Sequence, residues 1–289
     1  MNMKDVKAIF LDMDGTILNH DNQVEIETKE TIDQLRQHGF KVCLATGRSY
    51  EEIERLVPEG FDVDGIISSN GTRGQVGDET IFKHRLTTDT VQRVITRAQE
   101  NHVYYEVFPF EQERMVLNGD KDWVLNIVRG GCPTSVGASE WASRKSAIHN
   151  KMDFVTTFPN MDYSKIYFFS PDLGKIAAFR QGLVDDQETL HISVSNSSRC
   201  NAEVMAYGVD KGTGIKEMIA HFGIKQTETL VIGDSDNDRA MFDFGHYTVA
   251  MKNARPEIQA LTGDVTAYTN DENGAARYLA QHLLNVDDK

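Results

Sequence analysis

The chain has 289 residues, 40% of them hydrophobic and 26% charged, the balance of one large globular domain or two smaller ones. Lys and Arg number 30 against 44 Asp and Glu, a formal net charge of −14, which argues against sequence-independent binding to nucleic acid or an anionic membrane. Apolar runs such as residues 8–11 and 166–169 are far shorter than the roughly 20 residues of a membrane-spanning helix, so no transmembrane anchor is expected.

Residues 1–10 carry an acid and only a short apolar run, which does not suit a signal peptide, and the cytoplasm is the expected compartment. Residues 6–11 read as a buried strand. A helix is predicted over 25–38, stopped by Gly39, and a second strand over 40–45. Ile53, Leu56 and Val57 fall on one helix face, which Pro58 and Gly60 end. Residues 65–69 read as a third strand. Strand, helix, strand, helix, strand at this spacing predicts a parallel sheet with crossover helices.

The pattern changes at Asn70-Gly71, a hairpin-turn dipeptide. Val91, Val94, Ile95 and Ala98 mark an amphipathic helix. Strands are predicted near 103–108, 114–117 and 164–170, a loop over 130–137, and a helix around 176–179. Alternation resumes with a helix through Ile215, Met218, Ile219 and Phe222 and a strand over 230–233. Residues 240–244 read as helical, 248–251 as a strand, and 275–284 as a closing helix with Asn273 as its N-cap. Cys43, Cys132 and Cys200 form no CxxC pair, so reduced thiols are expected, with neither a disulfide framework nor a structural zinc. The fold class is α/β: a Rossmann-like parallel-sheet core with helices on both faces, split between residues 1–83 and 191–289, and an inserted α+β domain over 84–190.

Four segments at strand ends or helix entries carry chemistry. Asp12-Met13-Asp14-Gly15-Thr16 follows the first strand, and an open α/β sheet binds ligands at the carboxyl ends of its strands. Carboxylates so close repel, and Mg2+ is the simplest remedy; an ordinary turn is the alternative. Gly233-Asp234-Ser235-Asp236-Asn237-Asp238 is a second acidic cluster, which is either a metal site or a helix N-cap. Arg239 and Gly245 stand where an EF-hand loop needs Gly and Glu, which argues against a calcium loop. Thr46-Gly47-Arg48 can hold phosphate oxygens or be a plain turn. Lys211 enters a helix beside Gly212 and Gly214, either to reach an anion or as a surface lysine. No P-loop, GxSxG or HExxH motif occurs.

Together these residues resemble the four ordered motifs of haloacid-dehalogenase-like phosphatases. The insertion after the third strand, with Ser69-Asn70-Gly71, resembles the Cof-type branch, which has a large α/β cap. Met251-Lys252-Asn253-Ala254 resembles a family segment that usually has Gly where Lys252 stands. The resemblance implies a Mg2+-dependent phosphoric monoester hydrolase of small phosphorylated metabolites, sugar phosphates first, acting as a monomer or small homo-oligomer. It makes Asp12 the nucleophile that forms an aspartyl-phosphate and Asp14 the general acid–base, with an environment expected to favour the protonated form. Mg2+ would sit on Asp12, the Asp14 carbonyl and Asp234, with Asp238 orienting a bound water. Thr46, Gly47, Arg48, Lys211 and Asn237 would hold the phosphoryl group, and the cap would close over the site and set specificity. Tyr104, Tyr105, Phe108, Phe110 and Trp123 could contact a substrate, but are expected in the cap's core. A phosphosugar mutase and a non-catalytic phosphometabolite-binding module are the competing readings.

Overall fold

The computed structural model describes residues 3–150 and 152–284, with side chains at 149 and 150 left aside; the first two residues of the amino-terminal segment lie outside it. One compact unit runs to Lys83 and resumes at Asp210; the other is His84–Val209.

In the first unit, strands β1 (Ala8–Leu11), β2 (Lys41–Ala45), β3 (Gly65–Ser68), β4 (Arg73–Val76) and β5 (Glu79–Lys83) precede the insertion. The insertion holds β6 (Tyr104–Pro109), β7 (Arg114–Leu117), β8 (Met152–Val155), β9 (Tyr163–Phe169), β10 (Ile192–Ser195) and β11 (Asn201–Ala206). The first unit then closes with β12 (Thr229–Gly233), β13 (Tyr247–Ala250) and β14 (Asp264–Val265).

The first unit's sheet has eight strands in the order β14-β13-β12-β1-β2-β3-β4-β5. All neighbours from β14 to β3 are parallel, and β3, β4 and β5 form antiparallel pairs. Alternate residues of a strand point to opposite faces. Thus Ile9 and Leu11 of β1 pack in one hydrophobic cluster with Ile32, Leu35, Tyr278 and Leu279. Ala8 and Phe10 pack in another with Ile215, Met218 and Met241. Burial of both faces explains why the strands read as continuous apolar runs. Asn273 precedes the last helix (Gly274–Leu283) in a left-handed conformation and makes no side-chain cap bond, contrary to expectation. No helix among the described residues is long and apolar enough to cross a membrane.

The second unit has a six-stranded sheet, β10-β11-β9-β6-β7-β8. The sequence assigned residues 191–209 to the core, but β10 pairs with β11 and β11 with β9, all antiparallel, so this stretch belongs to the insertion. Tyr104, Tyr105 and Phe108 are buried in one hydrophobic cluster against which Trp123 packs, and Phe110 is also buried. Within that interior Glu106 is fully buried, accepting hydrogen bonds from the Tyr104 hydroxyl at 2.6 Å, from Arg114 at 2.6 Å and from Arg144. Burial alone would raise the Glu106 carboxyl, but the Arg144 and Arg114 charges outweigh it and hold the group below the usual carboxylate range. Glu106→Ala would leave two buried guanidinium groups without their shared anion and is expected to cost about 3–5 kcal/mol, seen as a lower denaturant midpoint. Lys7→Ala, which breaks only the exposed pair with Glu228, is the control and should hardly move it.

Candidate active site

The site grows from the sheet's connectivity. From central β1 the chain passes to β2 on one side and returns through β12 on the other, so a crevice opens beyond the carboxyl ends of these strands. Leu11 is register partner to both Ile232 and Leu44, which sets the residues after β1, β2 and β12 side by side. Those residues begin with Asp12, Thr46 and Asp234.

Lys211 is the first residue of the helix Lys211–Phe222. Asp210 caps it, accepting from the Thr213 N–H at 2.7 Å while its own N–H donates to the Thr213 hydroxyl at 2.9 Å. Gly71, at φ 97°, packs against this cap; a Cβ there would lie 1.9 Å from the Asp210 carbonyl oxygen. The cap therefore fixes where Lys211 enters. The lysine is wholly buried and donates to Asp12 Oδ1 at 2.5 Å and Asp238 Oδ1 at 2.7 Å. It is not a surface lysine. Burial would lower its pKa, but the Asp12 and Asp238 charges prevail and keep it charged.

Asp12, Asp234 and Asp238 each offer a carboxylate oxygen, all within 4.8 Å of one another. Asp238 Oδ2 accepts from the N–H groups of Asp234 at 2.8 Å and Ser235 at 3.0 Å, so Asp238 is spent on holding the loop and Lys211. Asp234 Oδ1 is buried with no hydrogen-bond partner. With all three carboxylates ionised, the one ammonium would leave two uncompensated negative charges. Burial, opposed by Lys211 and reinforced by the Asp238 and Asp14 charges, pushes Asp12 up to about 7. Burial and the Asp12 and Asp238 charges push Asp234 far above its usual range. A divalent cation with oxygen ligands fits both the orphaned oxygen and the charge deficit.

Asp14 is placed differently. Arg48 grips it through Nε at 2.8 Å and a terminal nitrogen at 2.5 Å. Burial would raise its pKa, but the Arg48 charge and hydrogen bonds win and hold it low. The expectation that its surroundings favour the protonated form is therefore corrected. Its side chain is not among the clustered metal-ligand oxygens, and Arg48 is engaged with a carboxylate where the sequence placed it on phosphate.

Thr46 is buried, and its hydroxyl accepts from the Arg48 N–H at 3.1 Å. The loop through Gly47 is stitched to the next strand end: Asn70 N–H donates to the Thr46 carbonyl and Ser69 N–H to the Arg48 carbonyl. Asn237 donates to Asn70 Oδ1 at 3.1 Å and accepts from the Ser235 hydroxyl at 2.7 Å. Asn70 and Ser235 were given no role by the sequence. Asn70 lies at φ 56° beside a glycine, so its turn chemistry hid its position in the site. Asn253 donates to the Gly15 carbonyl at 2.8 Å, tying the loop after β13 to the loop after β1, while Lys252 is exposed. Gly15 itself has φ 77°, and a Cβ there would sit 2.4 Å from Asp234 Oδ2.

Residues 9–279 match the haloacid dehalogenase-like hydrolase family. The chain belongs to that family. It is 26% identical over 291 residues to the phosphatase YwpJ of Bacillus subtilis, covering 96% of this chain and 100% of that one. It is 24% identical over 288 residues to the 5-amino-6-(5-phospho-D-ribitylamino)uracil phosphatase YwtE of the same organism, covering 96% and 98%. A solved haloacid dehalogenase-like hydrolase from B. subtilis shares its fold with a TM-score of 0.79 at 24% identity, over 96% of this chain and 100% of that one. The chain is a phosphatase, a phosphoric monoester hydrolase of this family.

The charge deficit gives a test that needs no substrate. Mg2+ is expected to raise the melting temperature of the wild type, as any ligand of the folded state does. Asp234→Asn should melt close to wild type without Mg2+, because the amide replaces a carboxyl that its surroundings already hold toward the protonated form, and should respond little to the ion. A wild type indifferent to Mg2+ would remove the divalent role from this cluster.

Proposed function

We propose that the chain is a Mg2+-dependent phosphatase of small phosphorylated metabolites, sugar and polyol phosphates first, working through an aspartyl-phosphate on Asp12. The observation that carries this reading is the buried acidic cluster, two charges short of balance, around an immobilised lysine. The name of the relative YwtE supports the substrate class, since it places phosphate on a ribityl chain.

Asp12 and Asp234, with the Asp14 carbonyl, would hold Mg2+, which when bound would neutralise charge and polarise phosphoryl oxygen. Asp12 Oδ1 is pinned by Lys211, which leaves Oδ2 to attack phosphorus in line. Attack forms the Asp12–phosphorus bond as the ester oxygen leaves, and water later cleaves the acyl phosphate. Asp14 would give the leaving alkoxide its proton and then take one from the water. The Arg48 pair keeps Asp14 in the form that the second half-reaction needs. For the first half-reaction Asp14 must part from Arg48 and take up a proton. Thr46, the Gly47 N–H, Lys211 and Asn237 would position the phosphoryl oxygens, because positioning and charge stabilisation supply most of phosphoryl-transfer catalysis. The inserted unit would set specificity.

Asp12→Asn should fold and lose turnover by roughly 10³-fold or more, the scale seen when a nucleophile is removed. Asp14→Asn should lose about 10²–10⁴-fold, the usual share of acid–base catalysis. Both are measured as free phosphate released from a sugar-phosphate panel with Mg2+. Isomerised sugar without phosphate release would identify a mutase, and tight binding without either would identify a binding module. Near-normal activity in Asp12→Asn would overturn the nucleophile assignment.

A further inference from the structure

The turn from β3 to β4 carries three consecutive residues in the left-handed region: Ser69 at φ 49°, Asn70 at 56° and Gly71 at 97°. The two-residue hairpin turn that Asn-Gly signals needs only two, and serine is not among the residues enriched in that region. The left-handed histidines His102 and His191, by contrast, are single residues that end helices. Strained backbone persists where its surroundings over-determine it, and it gathers at functional sites.

Here the surroundings are the loops of the active site. Ser69 N–H donates to the Arg48 carbonyl at 2.8 Å and Asn70 N–H to the Thr46 carbonyl at 2.9 Å, both outside the hairpin. Gly71 packs on Asp210, which caps the helix of Lys211. Asn70 Oδ1 accepts from Asn237 Nδ2 at 3.1 Å. One turn thus touches the loop after β2, the loop after β12 and the start of the lysine helix.

A side-chain amide is a flat group with one oxygen and two N–H donors. The Asn237 oxygen accepts from the Ser235 hydroxyl at 2.7 Å, and one of its N–H bonds goes to Asn70. With both ends held, the direction of the second N–H is fixed. Asn70 and Asn237 are both buried, where water does not compete for such bonds.

We propose that Asn70 is a positioning residue for phosphate: it turns the Asn237 amide so that its second N–H meets a phosphoryl oxygen, and it ties that amide to the Thr46 backbone. The proposal rests on the phosphate-holding role given to Asn237 and Thr46 under the proposed function.

Titration calorimetry of the full chain with inorganic phosphate, in the presence of Mg2+, tests this without turnover. Asn237→Ala should weaken phosphate by about tenfold or more, the scale of a hydrogen bond to a charged group. Asn70→Gly suits the left-handed backbone and deletes only the side chain. It should weaken phosphate at least about threefold in the wild-type background and hardly at all in Asn237→Ala, because residues that act as a unit are not additive. Asn70→Ser, which removes Oδ1 but keeps a Cβ, is the second variant if the glycine fails to fold. A merely structural Asn70 would weaken phosphate equally in both backgrounds, and that result would overturn the proposal. So would unchanged affinity in the Asn70 variants, or no phosphate binding by the wild type. Because the readout is binding, an active Asp12→Asn protein would count against the nucleophile assignment and not against Asn70.

Discussion

The buried acidic cluster is organised around one ammonium group. Lys211 Nζ lies between Asp12 and Asp238, with no solvent to screen it. Burying such charges costs several kcal/mol per ion unless each finds its partner. Here the charges do not balance: the lysine bonds two carboxylates of three but brings a single positive charge. The cluster is stable only because surrounding structure fixes it. Asp238 is bound to two backbone N–H groups, and the Asp210 cap and the Gly71 contact hold the helix that delivers the lysine. A divalent ion would answer the remaining deficit.

That arrangement depends on the parallel sheet. The lysine and its partners stand 199 and 27 residues apart in the chain, and β1 is the strand on which both halves of the first unit meet. Adjacent parallel strands end at one edge, so the loops after β1, β2, β3 and β12 converge without any local sequence specifying it. Asn253 and Asn70 then fasten these loops to one another. The inserted unit handles its interior charge differently. Glu106 has Arg114, Arg144 and a tyrosine hydroxyl as partners, and Lys165 pairs with Glu203 at 2.7 Å. Those groups close their charges in pairs, whereas the first unit's cluster keeps a buried acid oxygen, Asp234 Oδ1, without a partner.

The alternation of apolar segments with helix patterns made the α/β fold legible, because strands buried on both faces have no polar residues to interrupt them. The short strands β10 and β8 were not legible. Ser193 and Ser195 break the apolar run in β10, and every residue of β8 is at least partly exposed. Their place comes from pairing partners, not from their own pattern, and so residues 191–209 were assigned to the wrong unit. The helix Ala138–Asn150 went unseen for a related reason, since its few apolar residues mark no clear face. At the site, the acidic motifs were visible because adjacent carboxylates are chemically conspicuous. The burial of Lys211 was not, because burial is set by residues far away in sequence.

Asp14 shows why motif chemistry and local electrostatics must be argued separately. Two carboxylates two residues apart in one loop are held in opposite protonation tendencies by different neighbours. Asp12 is buried among acids and resists ionisation; Asp14 faces a guanidinium and favours it. This is the reverse of what the roles proposed for them, nucleophile and general acid, would require. Under the proposed function, arriving charge would invert it: a cation at the acidic cluster would favour ionised Asp12, and a phosphoryl anion would compete with Asp14 for Arg48. On that reading substrate and metal would complete the catalytic protonation states instead of finding them ready, and the reactive combination would exist in the loaded site alone.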